Sequence, residues 1–298
     1  MTASARGTNQ KDMRPLRSKF CGVCFGVFIL LVVTQLVSAG RVMAQEFDQT
    51  HSLYDGLLKA HVVKGRVNYA ALKADPEALD QYLSLLAGVQ EKQFGAWEEA
   101  RQLAFLFNLY NAATLRLILD NYPILSIKDI GKWFQGPWDQ PVVQLFGTPI
   151  TLNTLEHTIL RKQYKEPRLH MALVCAAKGC PSLRSEAYAA EHLQEQLDDQ
   201  AEKLLADPEK FRIERGSNIV YFSSIFKWYG DDFKSRYMPS AGFSGLDETQ
   251  RAVANFCARY LSEPDRQYLE AGGYAVRFLD YDWSLNEQKV IRPVIPTM

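Results

Sequence analysis

The stretch that most constrains this chain runs from about Ala96 to Asn121. It reads as the longest helix in the sequence and is stopped by Pro123. Leu103, Phe107, Tyr110, Thr114, Leu117 and Ile118 recur at helical spacing and form an apolar stripe, which needs other elements laid against it. Inside this apolar surface stand Asn108, Tyr110 and Asn111. The two asparagines are three residues apart and share a face. Amides in such surroundings must find partners. They can lock a neighbouring loop, orient a catalytic histidine or bind a substrate amide.

The elements expected around that helix are short. Phe47, Leu53, Tyr54, Leu57 and Leu58 have helical spacing, and Val62–Tyr69 reads as a hairpin turning at Lys64-Gly65. Asp75 followed by Pro76 predicts an N-cap and a helix to about Leu86. Val142–Leu152 reads as a hairpin around Phe146-Gly147-Thr148. Asn153 with Glu156 three residues on predicts a capping box and a helix through Gln163. Arg168–Cys175 is apolar and β-rich, which predicts a buried strand leading into the loop Ala176–Pro181. An amphipathic helix over Ala189–Leu204 follows, then a hairpin pairing Phe211–Ile213 with Ile219–Phe222. Ser223 or Ser224 caps a short helix ending at Gly230. Helices near Asp247–Leu261 and Arg266 and a strand at Tyr274–Tyr281 close the chain. Helices interleaved with hairpins, with no internal repeat after residue 45, predict a single α+β domain, mainly helical, with short antiparallel hairpins.

Residues before that domain have a different character. Arg6, Lys11, Arg14, Arg17 and Lys19 stand against one acid, Asp12, and an apolar run follows from Phe20 to Val37. Val42-Met43-Ala44 then ends in a small residue. The order basic, apolar, small reads as a secretory signal over residues 1–44, with residues 45–298 as the domain. The rival is an uncleaved anchor, since the run is about long enough to span a bilayer. Export to the periplasm or the exterior is therefore expected, with inner-membrane anchoring as the alternative. The whole chain balances 34 Lys+Arg against 34 Asp+Glu. With no basic excess, no nucleic-acid partner is expected, and membrane contact is expected only through the N-terminal segment.

Cys175, Cys180 and Cys257 remain beyond that segment. A strand ending in Cys175, a glycine-containing loop and Cys180 before Pro181 form the densest cluster of reactive residues. If Pro181 takes the first helical position, Cys180 is an N-cap whose thiolate is favoured by free backbone N–H groups and the positive helix end. Cys180 is then the first candidate nucleophile and Cys175 the second. A Cys175–Cys180 disulfide stapling the loop is the plain alternative. A nucleophilic cysteine needs a base and a group to hold that base. His157 and Glu156, adjacent in a helical first turn, are the candidates, although neighbours on a helix diverge by about 100°. His170 falls on the opposite face of the expected strand from Cys175, so it reads as a hydrogen-bonded core histidine. Trp133, Phe134, Trp138, Trp228 and Tyr229 are candidates to line a cleft. A zinc site from Cys175, Cys180 and a histidine is weakly signalled, no nucleotide fingerprint is present, and no metal or cofactor is expected.

Several of these blocks resemble domain of unknown function 547: Phe105–Ala112, Leu152–Arg161, His170–Leu183, Leu197–Asp199, Ser223–Tyr229 and Tyr281–Asn286. They follow in order over about residues 50–287. The resemblance implies an exported bacterial envelope protein. Its Glu-His and Cys blocks imply a cysteine-hydrolase-like site. Ser182 departs from the second proline often found there and makes the loop less stiff. The expected function is thus a Cys/His hydrolase or acyltransferase acting on amide or thioester bonds of a peptide or envelope substrate. The rivals are a non-catalytic envelope interaction module with a structural disulfide and a thiol-redox protein. If the two sulfurs are bonded to each other, the hydrolase reading loses its mechanism and the interaction-module reading becomes the better one.

Overall fold

The computed structural model describes residues 46–131 and 135–289. The expected leader over 1–44 and the aromatic pair Trp133 and Phe134 lie outside the described residues. Everything below concerns the compact unit Phe47–Met298. Among the described residues no helix is long and apolar enough to cross a membrane.

The long helix forms over Glu99–Asn121 and ends where Tyr122 turns extended before Pro123. It is not striped. Every residue from Leu103 to Leu115 is buried, because elements pack on all of its sides. Against it lie the helix Glu77–Ala87, the short helix Tyr69–Ala74 and the hairpin strand Val143–Leu145. Thr114, a polar residue inside this surface, returns its hydroxyl to the Tyr110 carbonyl at 2.8 Å.

The expected hairpins form as antiparallel pairs: Val62–Val63 with Arg66–Val67, Val143–Leu145 with Thr148–Ile150, and Phe211–Glu214 with Ile219–Phe222. The closing strand Ala275–Phe278 adds parallel to Ile219–Phe222, which a hairpin reading does not anticipate. Together with the helices this is a single-domain α+β fold. Two hydrophobic clusters make up its core. One surrounds the long helix; the other gathers Met171, the sheet and the helices Glu248–Ala258 and Glu263–Ala271. Tyr281 packs against both.

Four local expectations are corrected. Arg168–Cys175 is not a strand: Leu169–Ala172 forms a short helix and Leu173 turns extended. The Glu166 carboxylate accepts the Arg168 N–H and the Glu166 carbonyl accepts the Leu169 N–H, which starts a turn. The Asn111 side chain then donates to the Ala172 carbonyl at 3.0 Å and accepts the Val174 N–H at 2.9 Å, supplying what a strand neighbour would have supplied.

No helix follows Pro181, so Cys180 is not an N-cap; the next helical turn begins at Ala190. The loop's backbone is committed elsewhere. Lys178 and Gly179 donate to the Ser284 and Asp282 carbonyls, and the Ala176 carbonyl accepts the Asn286 N–H. The capping box at Asn153 does not form either. Thr151 caps the Thr154 N–H at 2.9 Å, while Asn153 donates to Asp139 at 2.5 Å. Asp75 likewise precedes the helix Glu77–Ala87 without capping it.

Candidate functional site

A cleft of about 270 Å3 opens where the two clusters meet. Cys175 and Cys180 form a disulfide on its wall. Cys175 is half-buried and Cys180 buried. Asn111 fixes the approach to the loop, as described. Asn108 does the same for a second segment: it donates to the Tyr188 carbonyl at 2.8 Å and accepts the Tyr188 N–H at 3.0 Å. Neither asparagine lines the cleft. Beyond Cys175, Ala176 takes a left-handed conformation (φ 62°), a strained choice for a residue with a Cβ.

The Cys180 sulfur accepts two hydrogen bonds, from the Cys175 N–H at 2.9 Å and from the Tyr281 hydroxyl at 3.0 Å. The same hydroxyl lies 3.1 Å from the Cys175 sulfur. Tyr281 approaches this closely because residue 179 is glycine: a Cβ there would stand 2.8 Å from the ring. Burial pushes the Tyr281 phenol well above its ordinary range, and nearby Tyr229 and Glu156 push it further, so it stays a neutral donor.

Glu156 and His157 reach the cleft on a π-helical segment, Thr154–Leu160, closed by the Arg161 N–H on the Glu156 carbonyl. Such i→i+5 bonding puts more residues in each turn than an α-helix has, so neighbours diverge by less than about 100°. Both side chains therefore line one cavity. Glu156 is 8% exposed and accepts the Tyr110 hydroxyl at 3.0 Å. Burial, with Glu156 beside it, holds the Tyr110 phenol well above its ordinary range.

His157 makes no hydrogen bond to either sulfur. Its Nδ1 accepts from Arg161 Nη1 at 2.9 Å. Arg161 also donates from Nε and Nη2 to Asp232 at 2.7 and 2.9 Å, and Asp232 accepts His170 Nε2 at 2.7 Å. A continuous chain thus runs from His157 through Arg161 and Asp232 to His170, whose ring stacks on Tyr229 at 4.2 Å between centroids. Burial lowers the His170 pKa against the pull of Asp232. Burial would raise the Asp232 carboxyl, but the hydrogen bonds from His170 and Arg161 prevail and hold it well below the usual carboxylate range. His170 is buried as expected, yet it lines the same cleft as Cys175. The helix at Leu169–Ala172 removes the opposition of faces that a strand would have imposed.

Trp138, Trp228 and Tyr229, expected as cleft aromatics, do line it. Trp283 and Tyr281 join them, their rings 4.5 Å apart. Arg161, Asp232, Tyr281 and Trp283 are the members that the residue patterns missed. Arg161 had a signal, four residues after His157 on a helix. Asp232 had none.

Residues 94–205 match the family model described as "Protein of unknown function, DUF547". The resemblance is thereby shown for the stretch that holds Asn108, Tyr110, Asn111, Glu156, His157, His170 and both cleft cysteines. The cleft residues Trp228, Tyr229, Tyr281 and Trp283, and Asp232 behind the cleft histidine His170, lie beyond it. Comparison with curated proteins and with solved structures finds no match. No group of three or more His, Cys, Asp or Glu among the described residues is arranged to hold a metal ion.

Bonded as they are, Cys175 and Cys180 offer no thiolate. The hydrolase expectation has no nucleophile in this form, and the His157 imidazole expected beside a sulfur is engaged by Arg161 instead. What the arrangement can do directly is exchange the disulfide. One sulfur is reachable, and the other is supplied with two hydrogen-bond donors.

Proposed function

We propose that the protein carries out thiol–disulfide exchange, with Cys175 and Cys180 as the working pair. The observation that carries this reading is the Tyr281 hydroxyl within hydrogen-bond reach of both sulfurs at an open cleft. A substrate thiolate attacks the half-buried Cys175 sulfur. The Cys175–Cys180 bond breaks, and its electron pair leaves on Cys180. That thiolate is stabilised by the Tyr281 hydroxyl and the Cys175 N–H. A second substrate thiolate then attacks the substrate sulfur of the mixed disulfide and releases Cys175, which takes up a proton. The substrate dithiol is oxidised to a disulfide and the protein disulfide reduced to a dithiol; the reverse sequence reduces a substrate disulfide.

A staple reading has less support. The disulfide spans five residues of sequence, and a short loop restrains the unfolded chain less than a long one. The loop is also already tied by backbone hydrogen bonds to Asp282–Asn286. The test is equilibration of the oxidised protein in glutathione buffers, with thiols trapped by alkylation and counted by mass. The expected midpoint lies above about −300 mV, outside the range of structural disulfides. Tyr281→Phe should slow exchange and raise the pKa of the freed Cys180 thiol. A pair that stays oxidised until the protein unfolds would make the interaction-module reading the better one. Cys257, fully buried with its thiol pushed well above the ordinary range by burial, is the internal control and should react only on unfolding.

A second reading rests on Glu156 and His157 sharing the cleft with the sulfurs. Reduction would free a Cys180 thiolate, and the site would then act as the hydrolase or acyltransferase that the resemblance implies. Turnover of amide or thioester substrates by the reduced protein, lost in Cys180→Ser, tests it. We also propose export, on the basic and apolar leader and on a disulfide that suits an oxidising compartment. N-terminal sequencing of the exported form should begin at Gln45.

A further inference from the structure

We infer that the cleft binds an alkylammonium group, held between the Glu156 carboxylate and the aromatic wall of Trp228, Tyr281 and Trp283. The inference rests on the exchange reading for the ligand's carrier: a thiol-bearing substrate with an alkylated or primary ammonium near its sulfur. Glu156 is 8% exposed, and among the described residues it takes part in no ion pair. The Arg161 guanidinium is committed elsewhere, donating to Asp232 and His157, and His170, held neutral by burial, donates to Asp232 as well. A buried carboxylate without a cation is costly, and a cation from outside relieves that cost.

The aromatic side chains that share the cleft with Glu156 favour a hydrocarbon-clad cation over a bare one. Trp228 and Tyr281 have ring centroids 4.9 Å apart, and Trp228 and Trp283 5.9 Å. Ring faces attract ammonium groups, most strongly when water is excluded. The chain's own cations already use this property at the margins. Lys128 Nζ lies 3.7 Å from the Trp283 ring centroid, and the Arg161 guanidinium 5.0 Å from that of Tyr229. A volume of about 270 Å3 is small for a ligand pocket and suits a cationic head or one side chain.

The test compares choline with its neutral isostere 3,3-dimethylbutan-1-ol on the oxidised full chain, by calorimetry and by tryptophan fluorescence. Choline should bind at least about tenfold more tightly. Glu156→Gln should bring the two within about twofold. Trp228→Ala, a change at an exposed rim position, should weaken choline several-fold with the circular dichroism unchanged. Equal affinities, or no choline binding at tens of millimolar, overturns the inference. If glutathione still reduces the pair in that case, the exchange reading stands without it. A charge preference in a protein whose disulfide resists reduction keeps the cation site and removes the exchange reading. Exchange with a Lys-Cys peptide faster than with its norleucine-Cys counterpart assigns the ammonium to a peptide side chain; equal rates assign it to a small amine.

Discussion

Arg168 and His170 stand two residues apart on the turn that becomes the helix Leu169–Ala172, and each anchors a cluster of charged groups. Around Arg168 the cluster is built on a buried ion pair with Glu166. Glu166 accepts Arg168 Nε at 2.8 Å and Nη2 at 2.6 Å, and Arg236 adds a bond from a second guanidinium at 2.6 Å. Arg168 Nη1 reaches Asp198 at 2.7 Å, and the Arg168 and Glu166 side chains are 4% and 5% exposed. The outer partners of that pair, Asp198 and Arg236, are 48% and 45% exposed, whereas His170, itself 2% exposed, has no buried charged partner among the described residues: Arg161 and Asp232 are 27% and 25% exposed. The His170 cluster opens onto the cleft. Both regions are rich in charge, so charge does not mark the site. What distinguishes the second is hydrogen-bonding capacity left facing an accessible volume, beside a disulfide and a carboxylate without an ion pair.

The largest effect should come from breaking the buried Arg168–Glu166 pair. Arg168→Met leaves Glu166 buried with only Arg236, and removing one partner of a buried pair costs about 3–5 kcal/mol. Chemical denaturation measures it. A loss below about 1 kcal/mol would put this cluster in the class of surface pairs and erase the contrast.

Lowering the pH should separate the two regions next. Burial holds His170 below its usual value of about 6.5. The unfolded chain therefore binds the extra proton first, and the stability tied to neutral His170 is whole above about pH 6.5 and lost as pH falls below it. His51, pushed down to about 4 by burial against the pull of Asp48 and Glu191, adds to the same upper window. Burial would raise Glu166, but Arg168 prevails and holds it below the carboxylate range. Its contribution is present above about pH 4.3 and is lost only as pH falls further. Denaturation midpoints against pH should thus fall in two stages, and His170→Gln should shrink the upper one to the part that His51 supplies and leave the lower one unchanged. A profile flat down to about pH 4.3 would remove the distinction.

A smaller change is expected for Asp232→Asn, about 1–2 kcal/mol, because the group is partly solvated. Its signature lies in titration. Without the carboxylate, His170 should titrate lower still by NMR, while Arg168 and Glu166 are unmoved. A loss as large as that of Arg168→Met would mean that both clusters are structural.

Legibility followed the range of the interactions. The hairpin turns at Lys64-Gly65 and Phe146-Gly147, the end of the long helix before Pro123 and the start of the helix at Asp247 depend on a few neighbouring residues. Cys175, Cys180, Glu156, His157, Tyr110 and His170 could be named as candidates because their residue types carry chemistry wherever they stand. The strand expected at Arg168–Cys175 was misread because its alternating apolar residues are buried by packing, whereas its backbone is satisfied by Asn111, about sixty residues earlier. The expected helix start at Pro181 failed because Asp282–Asn286 had already claimed the loop's backbone groups.

By itself the sequence determined which segments become helices and hairpins, where most of them stop, and which reactive side chains the chain possesses. Those outcomes rest on backbone preferences, caps and periodicity within one or two turns. Tertiary structure alone decided that Tyr281 meets sulfurs more than one hundred residues away, that Asp232 links His170 to Arg161 across sixty to seventy, and that Asn111 replaces a strand neighbour. Buried donors and acceptors must be satisfied by whatever group the packed fold brings within reach. No local pattern encodes which distant residue that will be.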